Sequence, residues 1–102
     1  FNLNDSNAIP TWKRLVASKL ERNKKYPSSA QARDEKGVVQ LEFSLDRQGR
    51  LKSSRIVKSS GSDSLDRETL DLVQRAQPFA APPAAMTGEE IFLVVPVRFN
   101  IH

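Results

Sequence analysis

Apolar positions along this chain follow two periods, and each switch between them marks an element. Trp12, Leu15, Val16 and Leu20 recur at i, i+3, i+4 and i+8, one stripe of an α-helix, with Lys13, Arg14, Glu21 and Arg22 off the stripe. Asn7 or Thr11 is placed to cap this helix, and Pro10 is tolerated in a first turn. The helix must stop before Pro27, which forces Tyr26 out of the helical region. Arg22, Lys24 and Lys25 complement the negative end of its dipole. Residues 1–8 read as the flexible end of a linker and 9–102 as one domain.

Residues 28–36 form a polar connector with one helical turn around Ala30 and Ala32. From Gly37 the period becomes two. Val39, Leu41, Phe43 and Leu45 point one way, while Val38, Gln40, Glu42 and Ser44 point the other, which predicts a half-buried strand. Asp46–Gly49 is a hairpin turn, with Gly49 suited to a positive φ. On the return strand, Arg50 to Lys58, Leu51 and Ile56 are five apart. They share a face only through a bulge, expected between Lys52 and Arg55.

Ser59–Ser64 then forms a loop with Asp63 or Ser64 as the helix N-cap, and Asp66 and Glu68 suit the positive helix start. Leu65, Thr69, Leu72, Val73 and Ala76 make the buried stripe of a second helix, which Pro78 ends. Residues 77–90 hold Pro78, Pro82, Pro83 and Gly88 and read as a surface connection without structure of its own. The last strand runs Ile91 to Ile101. Leu93, Val95, Val97, Phe99 and Ile101 lie in one phase, and Phe92, Val94, Pro96, Arg98 and Asn100 in the other.

The order α-β-β-α-β predicts an α+β fold: a three-stranded antiparallel sheet in the order 2-1-3, with two helices packed on one face. A short turn makes the first two strands antiparallel, and the helical crossover from the second to the third is right-handed. The last strand is then an edge. Pro96 supports this independently, because a central strand must donate an N–H that proline lacks. Such an edge has two readings. Pro96 and Arg98 protect it from pairing, which is the default on pattern alone, or it is a docking edge for an extended peptide.

Composition narrows the classes. With 102 residues, 38% hydrophobic and 27% charged, the chain has the make-up of one folded domain. No window approaches the about 18 apolar residues of a membrane span, and there is no signal peptide. A start at Phe1 rather than Met predicts a fragment, with missing segments in which an anchor could lie. Without cysteine there are no disulfides or thiolate metal sites. The net charge of +4 gathers in Lys13, Arg14, Lys19, Arg22, Lys24 and Lys25, opposed there only by Glu21. That run could meet nucleic acid or anionic lipid, but a solvated helix face is the simpler reading. Phe43 and Phe99 lie in core-facing phases, so no aromatic platform accompanies the charge.

Residues for chemistry are sparse. His102 is the only histidine, at the very end. Ser59-Ser60-Gly61 lacks a nucleophile-elbow frame. Asp46, Asp63 and Asp66 read as turn and cap residues rather than calcium ligands. Gly37, Gly49, Gly61 and Gly88 are too scattered to cradle a phosphate. Asp34-Glu35 and Glu89-Glu90 fall in polar connectors. The expectation is no enzyme, no cofactor and no metal.

Taken in order, Trp12 with Leu15 and Leu20, Tyr26-Pro27, Gly37-Val38-Val39, Phe43, Gly49, Ser59-Ser60-Gly61, Leu65-Asp66, Pro78-Phe79 and Val95-Pro96-Val97-Arg98-Phe99 resemble the periplasmic C-terminal domains of the TonB energy-transducer family, HasB-like members included. The resemblance spans about residues 12–101. It implies a periplasmic domain anchored in the bacterial inner membrane by an upstream helix. It further implies energy received from an ExbB–ExbD complex and passed to outer-membrane transporters of iron chelates, haem or cobalamin, by gripping their N-terminal TonB box. The implied contact residues are Asn23, Lys24, Lys25, Tyr26 and Pro27, with Phe92, Val94, Pro96, Arg98 and Asn100 on the edge strand. Whether the domain forms a homodimer is left open, and no nucleic-acid partner is expected. A TolA-like adaptor with the same fold and another partner is the alternative, though it is not expected to carry Tyr-Pro and Ser-Ser-Gly.

Overall fold

A computed structural model describes residues 8–100. Helix α1 (Ala8–Asn23) buries Trp12, Val16 and Leu20. Thr11 lies inside it and is not its cap, and Asn7 is outside the described residues. Leu15, expected in the stripe, is 53% exposed. At 3.6 residues per turn it points about 100° from the middle of the Trp12–Val16–Leu20 arc, onto the flank. A one-turn helix α2 (Ser28–Ala32) follows Pro27 and buries Ala30.

Strands β1 (Gly37–Leu45), β2 (Leu51–Lys58) and β3 (Ile91–Phe99) form an antiparallel sheet in the order β2-β1-β3, and helix α3 (Asp63–Ala76) crosses from β2 to β3. The expected α+β fold and strand order are therefore present. Helix α3 lies on β1 and β2, and α1 packs beside it. Both contribute to one core with Val39, Leu41, Phe43, Leu45, Leu93, Val97 and Phe99. Among the described residues the opposite face of the sheet carries no helix. Ile101 and His102 lie outside the described residues.

The bulge is displaced from its expected place. Leu45 faces Leu51 and Ser44 faces Ser53, so Lys52 is the extra residue, and a second irregularity leaves Val57 unpaired between Leu41↔Ile56 and Gln40↔Lys58. The first bulge restores the phase, so that Leu51, Ser54 and Ile56 all face the core. The cap of α3 is also earlier than both expected candidates, one residue before Asp63 and two before Ser64. Ser62 has extended backbone and its Oγ accepts the Leu65 N–H at 3.3 Å, while Asp63 already belongs to the helix. Asp66 instead anchors the preceding loop: its carboxylate accepts from the Ser60 N–H at 3.0 Å and Ser60 Oγ at 2.8 Å, and from Ser59 Oγ.

Residues 77–90 are more than a passive connection. Phe79 and Pro82 are buried, and the Phe79 ring packs on Phe43 with centroids 5.6 Å apart. An irregular segment leaves carbonyls without ladder partners, and here side chains supply them. Trp12 Nε1 donates to the Ala80 carbonyl at 2.7 Å and Lys19 to Pro78 at 2.5 Å. The Arg47 guanidinium reaches the carbonyls of Met86, Gly88 and Pro83.

Candidate functional site

Among the described residues β3 pairs with β1 alone, so one side of its backbone is open. Which residues face that side follows from the pleat. In an antiparallel strand the N–H and C=O of a residue point to the same side, and the side alternates along the chain. Pro96 stands opposite Gln40 and has no N–H, so it fits where its nitrogen turns away from β1. Arg98, two residues on, offers its carbonyl to Lys24 Nζ at 2.5 Å. Both observations assign the outward positions to Phe92, Val94, Pro96 and Arg98.

The side chains of those residues project to the helix-free face. Phe92 is 57% and Val94 55% exposed, an unusual condition for large apolar groups beside a vacant edge. Next to them the face is polar. Glu42, opposite Val94, is bonded at 2.7 Å to Arg55, whose guanidinium that carboxylate holds above its ordinary pKa. Ser44, opposite Phe92, is fully buried and bonds both Ser53 and Glu90.

The turn after α1 meets the far end of this edge. Lys24 bonds Arg98, pairs with Glu21 at 3.0 Å, and lies 5.5 Å from the centroid of the Phe99 ring. Tyr26 meets Phe99 edge-on, and its hydroxyl donates to the Glu35 carbonyl. Burial, then the charges of Asp34 and Glu35, raise the Tyr26 pKa, which keeps the phenol a neutral donor. Glu35 itself is lowered by its bonds from Arg33 and Ser62. Among the ten residues expected at the site, then, Lys24 and Tyr26 come together with Arg98.

The others are distributed. Asn23 is held from inside: its carbonyl accepts from Arg75 at 2.8 Å and its amide donates to the Lys19 carbonyl. The Lys25 N–H donates to Glu68 at 2.9 Å, leaving its side chain exposed, and Pro27 caps α2. Asn100 is exposed beyond the end of β3. Phe92 lies six residues from Arg98, about 20 Å along the strand, so the candidate site is an extended edge and not a pocket. The sequence reading missed Glu21 and Arg75 as supports of the turn. Glu21 could have been found from its i, i+3 spacing to Lys24, whereas nothing local links Arg75 to Asn23. Among the described residues no cluster suited to a metal ion occurs, and no helix is long and apolar enough to cross a membrane.

Comparison with known proteins bears on the family and the fold. Residues 22–101 match the family model described as Gram-negative bacterial TonB protein C-terminal. The chain is 35% identical over 98 residues to Protein TonB of Pasteurella multocida (strain Pm70), covering 96% of this chain and 37% of that protein. It is likewise 35% identical to Protein TonB of Pseudomonas putida, covering 95% of this chain and 40% of that one. It thus spans about two fifths of the length of these relatives. The solution structure of the Helicobacter pylori TonB C-terminal domain superposes with a TM-score of 0.77 at 20% identity, covering 100% of this chain and 96% of that one, a likeness of fold. The C-terminal domain of HasB is 40% identical with a TM-score of 0.59, covering 88% of this chain and 70% of that one.

Proposed function

The chain belongs to the family of Gram-negative bacterial TonB protein C-terminal domains, and from that premise we propose that it is a periplasmic, non-enzymatic binding module that grips outer-membrane transporters. In this reading the N-terminal TonB box of a transporter adds as a strand to the open side of β3. Force generated by an inner-membrane ExbB–ExbD complex reaches the box through a membrane helix and spacer upstream of this domain. The transported cargo is an iron chelate, haem or cobalamin.

The observation that carries this reading is the open edge of β3, with outward backbone groups at Phe92 and Val94 and two exposed apolar side chains beside them. Backbone pairing supplies affinity, and alternate side chains supply selection. A strand paired along its length also resists pulling parallel to the strand, since its hydrogen bonds load together.

Isothermal titration of the domain with synthetic TonB box peptides from transporters of the same organism tests the reading. Saturable binding with micromolar to sub-millimolar affinity is expected. No binding to any such peptide at millimolar concentration would overturn it.

A further inference from the structure

Lys19 and Lys24 both hold a backbone carbonyl at 2.5 Å, but the one Lys24 holds is on the edge strand. Lys24 is bonded to the Arg98 carbonyl at 2.5 Å, paired with Glu21 at 3.0 Å, and set over the Phe99 ring. Its side chain is only 22% exposed, although it sits on a surface turn. The carbonyl it holds is the last outward-facing one on β3. An added strand runs about 4.8 Å from its neighbour, and an ammonium 2.5 Å from an outward oxygen stands inside that lane. A partner N–H aimed at this oxygen would have to displace a charge-assisted bond, which is stronger than the neutral bond replacing it.

The turn that carries Lys24 is itself braced. Arg75 holds the Asn23 carbonyl, Glu68 accepts the Lys25 N–H, and the Tyr26 ring is wedged against Phe99. The base of the Lys24 side chain is therefore fixed by the fold, and its ammonium is held at the edge by its bonds to the Arg98 carbonyl and Glu21. At the other end, among the described residues, no comparable bond reaches Phe92 or Val94, both more than half exposed.

Resting on the box-binding reading above, we propose that Lys24 is a stop for the added strand: it confines pairing to residues 92–96 and thereby fixes the register of the partner. With the Pro96 N–H absent, the outward donors within that window are those of Phe92 and Val94. A strand bounded on one side cannot slide past Arg98, and its alternate side chains keep one phase against Phe92 and Val94 while its end abuts the stop. The same lysine discourages the edges of two copies from pairing along their whole length.

Amide hydrogen exchange on the isotopically labelled domain, with and without a synthetic TonB box peptide, reads the window residue by residue. In the unaltered chain, peptide should slow exchange at Phe92 and Val94 at least tenfold and leave Arg98 unchanged. Lys24→Met keeps the length of the side chain and removes the donor. In that variant peptide should also slow Arg98 at least tenfold, while Lys24→Arg should keep the original pattern. Amides that bond β1 report in each variant that the sheet is intact. Slowing at Arg98 in the unaltered chain, or none there in Lys24→Met while Phe92 and Val94 still respond, would overturn the stop and leave the box-binding reading standing. No response at Phe92 and Val94 in the unaltered chain would overturn both.

Discussion

The Tyr26 ring meets the Phe99 ring edge-on, with centroids 5.6 Å apart and planes at 88°. This contact joins the turn that ends the first helix to the last residue of the edge strand, and so brings Lys24 over Arg98. The Tyr26-Pro27 pair therefore has a physical task. Proline stops the helix, and tyrosine packs the freed turn onto β3 while its hydroxyl satisfies the Glu35 carbonyl.

Edge pairing predicts the outcome of a proline scan. Val94 shares its outward side with Pro96, so Val94→Pro deletes a donor that the sheet does not use. The domain should keep its circular dichroism spectrum while affinity for box peptide falls at least tenfold, about 1.4 kcal/mol. A folded variant that binds normally would exclude pairing at this position.

Phe43 is 1% exposed at the centre of β1 and packs on Phe79. Phe43→Ala should destabilise the domain by about 3–5 kcal/mol, a large share of the stability of a small domain. Chemical denaturation measures it, and a loss below about 1 kcal/mol would contradict the central place given to this ring.

Gly49 has φ +84°, and a Cβ built there would lie 2.0 Å from the Phe79 carbonyl oxygen. The Gly49 carbonyl also accepts the Phe79 N–H at 2.8 Å. Gly49→Ala combines left-handed strain of about 1–2 kcal/mol with displacement of Phe79 from the core. The expected result is a lower denaturation midpoint together with altered chemical shifts around Phe43. Wild-type stability in this variant would mean that the hairpin and the 77–90 segment are not locked together.

Asp66 governs part of the acid response. Burial raises its pKa, but bonds from Ser59 Oγ and from the Ser60 N–H and hydroxyl outweigh that, and the net direction is down. Asp46 is also lowered, first by the Arg50 N–H. A carboxylate whose folded value lies below its unfolded one stabilises the fold above the unfolded value and loses that contribution as pH falls through the folded value. Stability should therefore decline below about pH 4, and Asp66→Asn should be less stable at pH 7 with a flatter acid limb. Denaturation midpoints between pH 2 and pH 7 of equal slope in both proteins would rule this out.

Element types, the sheet face of β1 and the exposed strand with its proline were all legible in the linear chain. Side-chain direction follows from local backbone geometry, so periods of two and 3.6 survive in the order of residues. Pro96 and Pro27 act through their own missing N–H or their own ring, and that too needs no neighbour. The resemblance to the TonB family was visible for the same reason, since its marks are short local signals in a fixed order.

What packing alone settled concerns pairs far apart in the chain. Lys24 and Arg98 are separated by 74 positions, Trp12 and Ala80 by 68, and Arg75 and Asn23 by 52. Leu15 satisfied the helical pattern and still faces water, because α3 and the 77–90 segment cover only one side of α1. Phe79 lay among prolines that signal a surface loop, yet it fills the space above Phe43. Carbonyls left over by irregular backbone must find donors somewhere, and which donors reach them is known only once helices and sheet have docked.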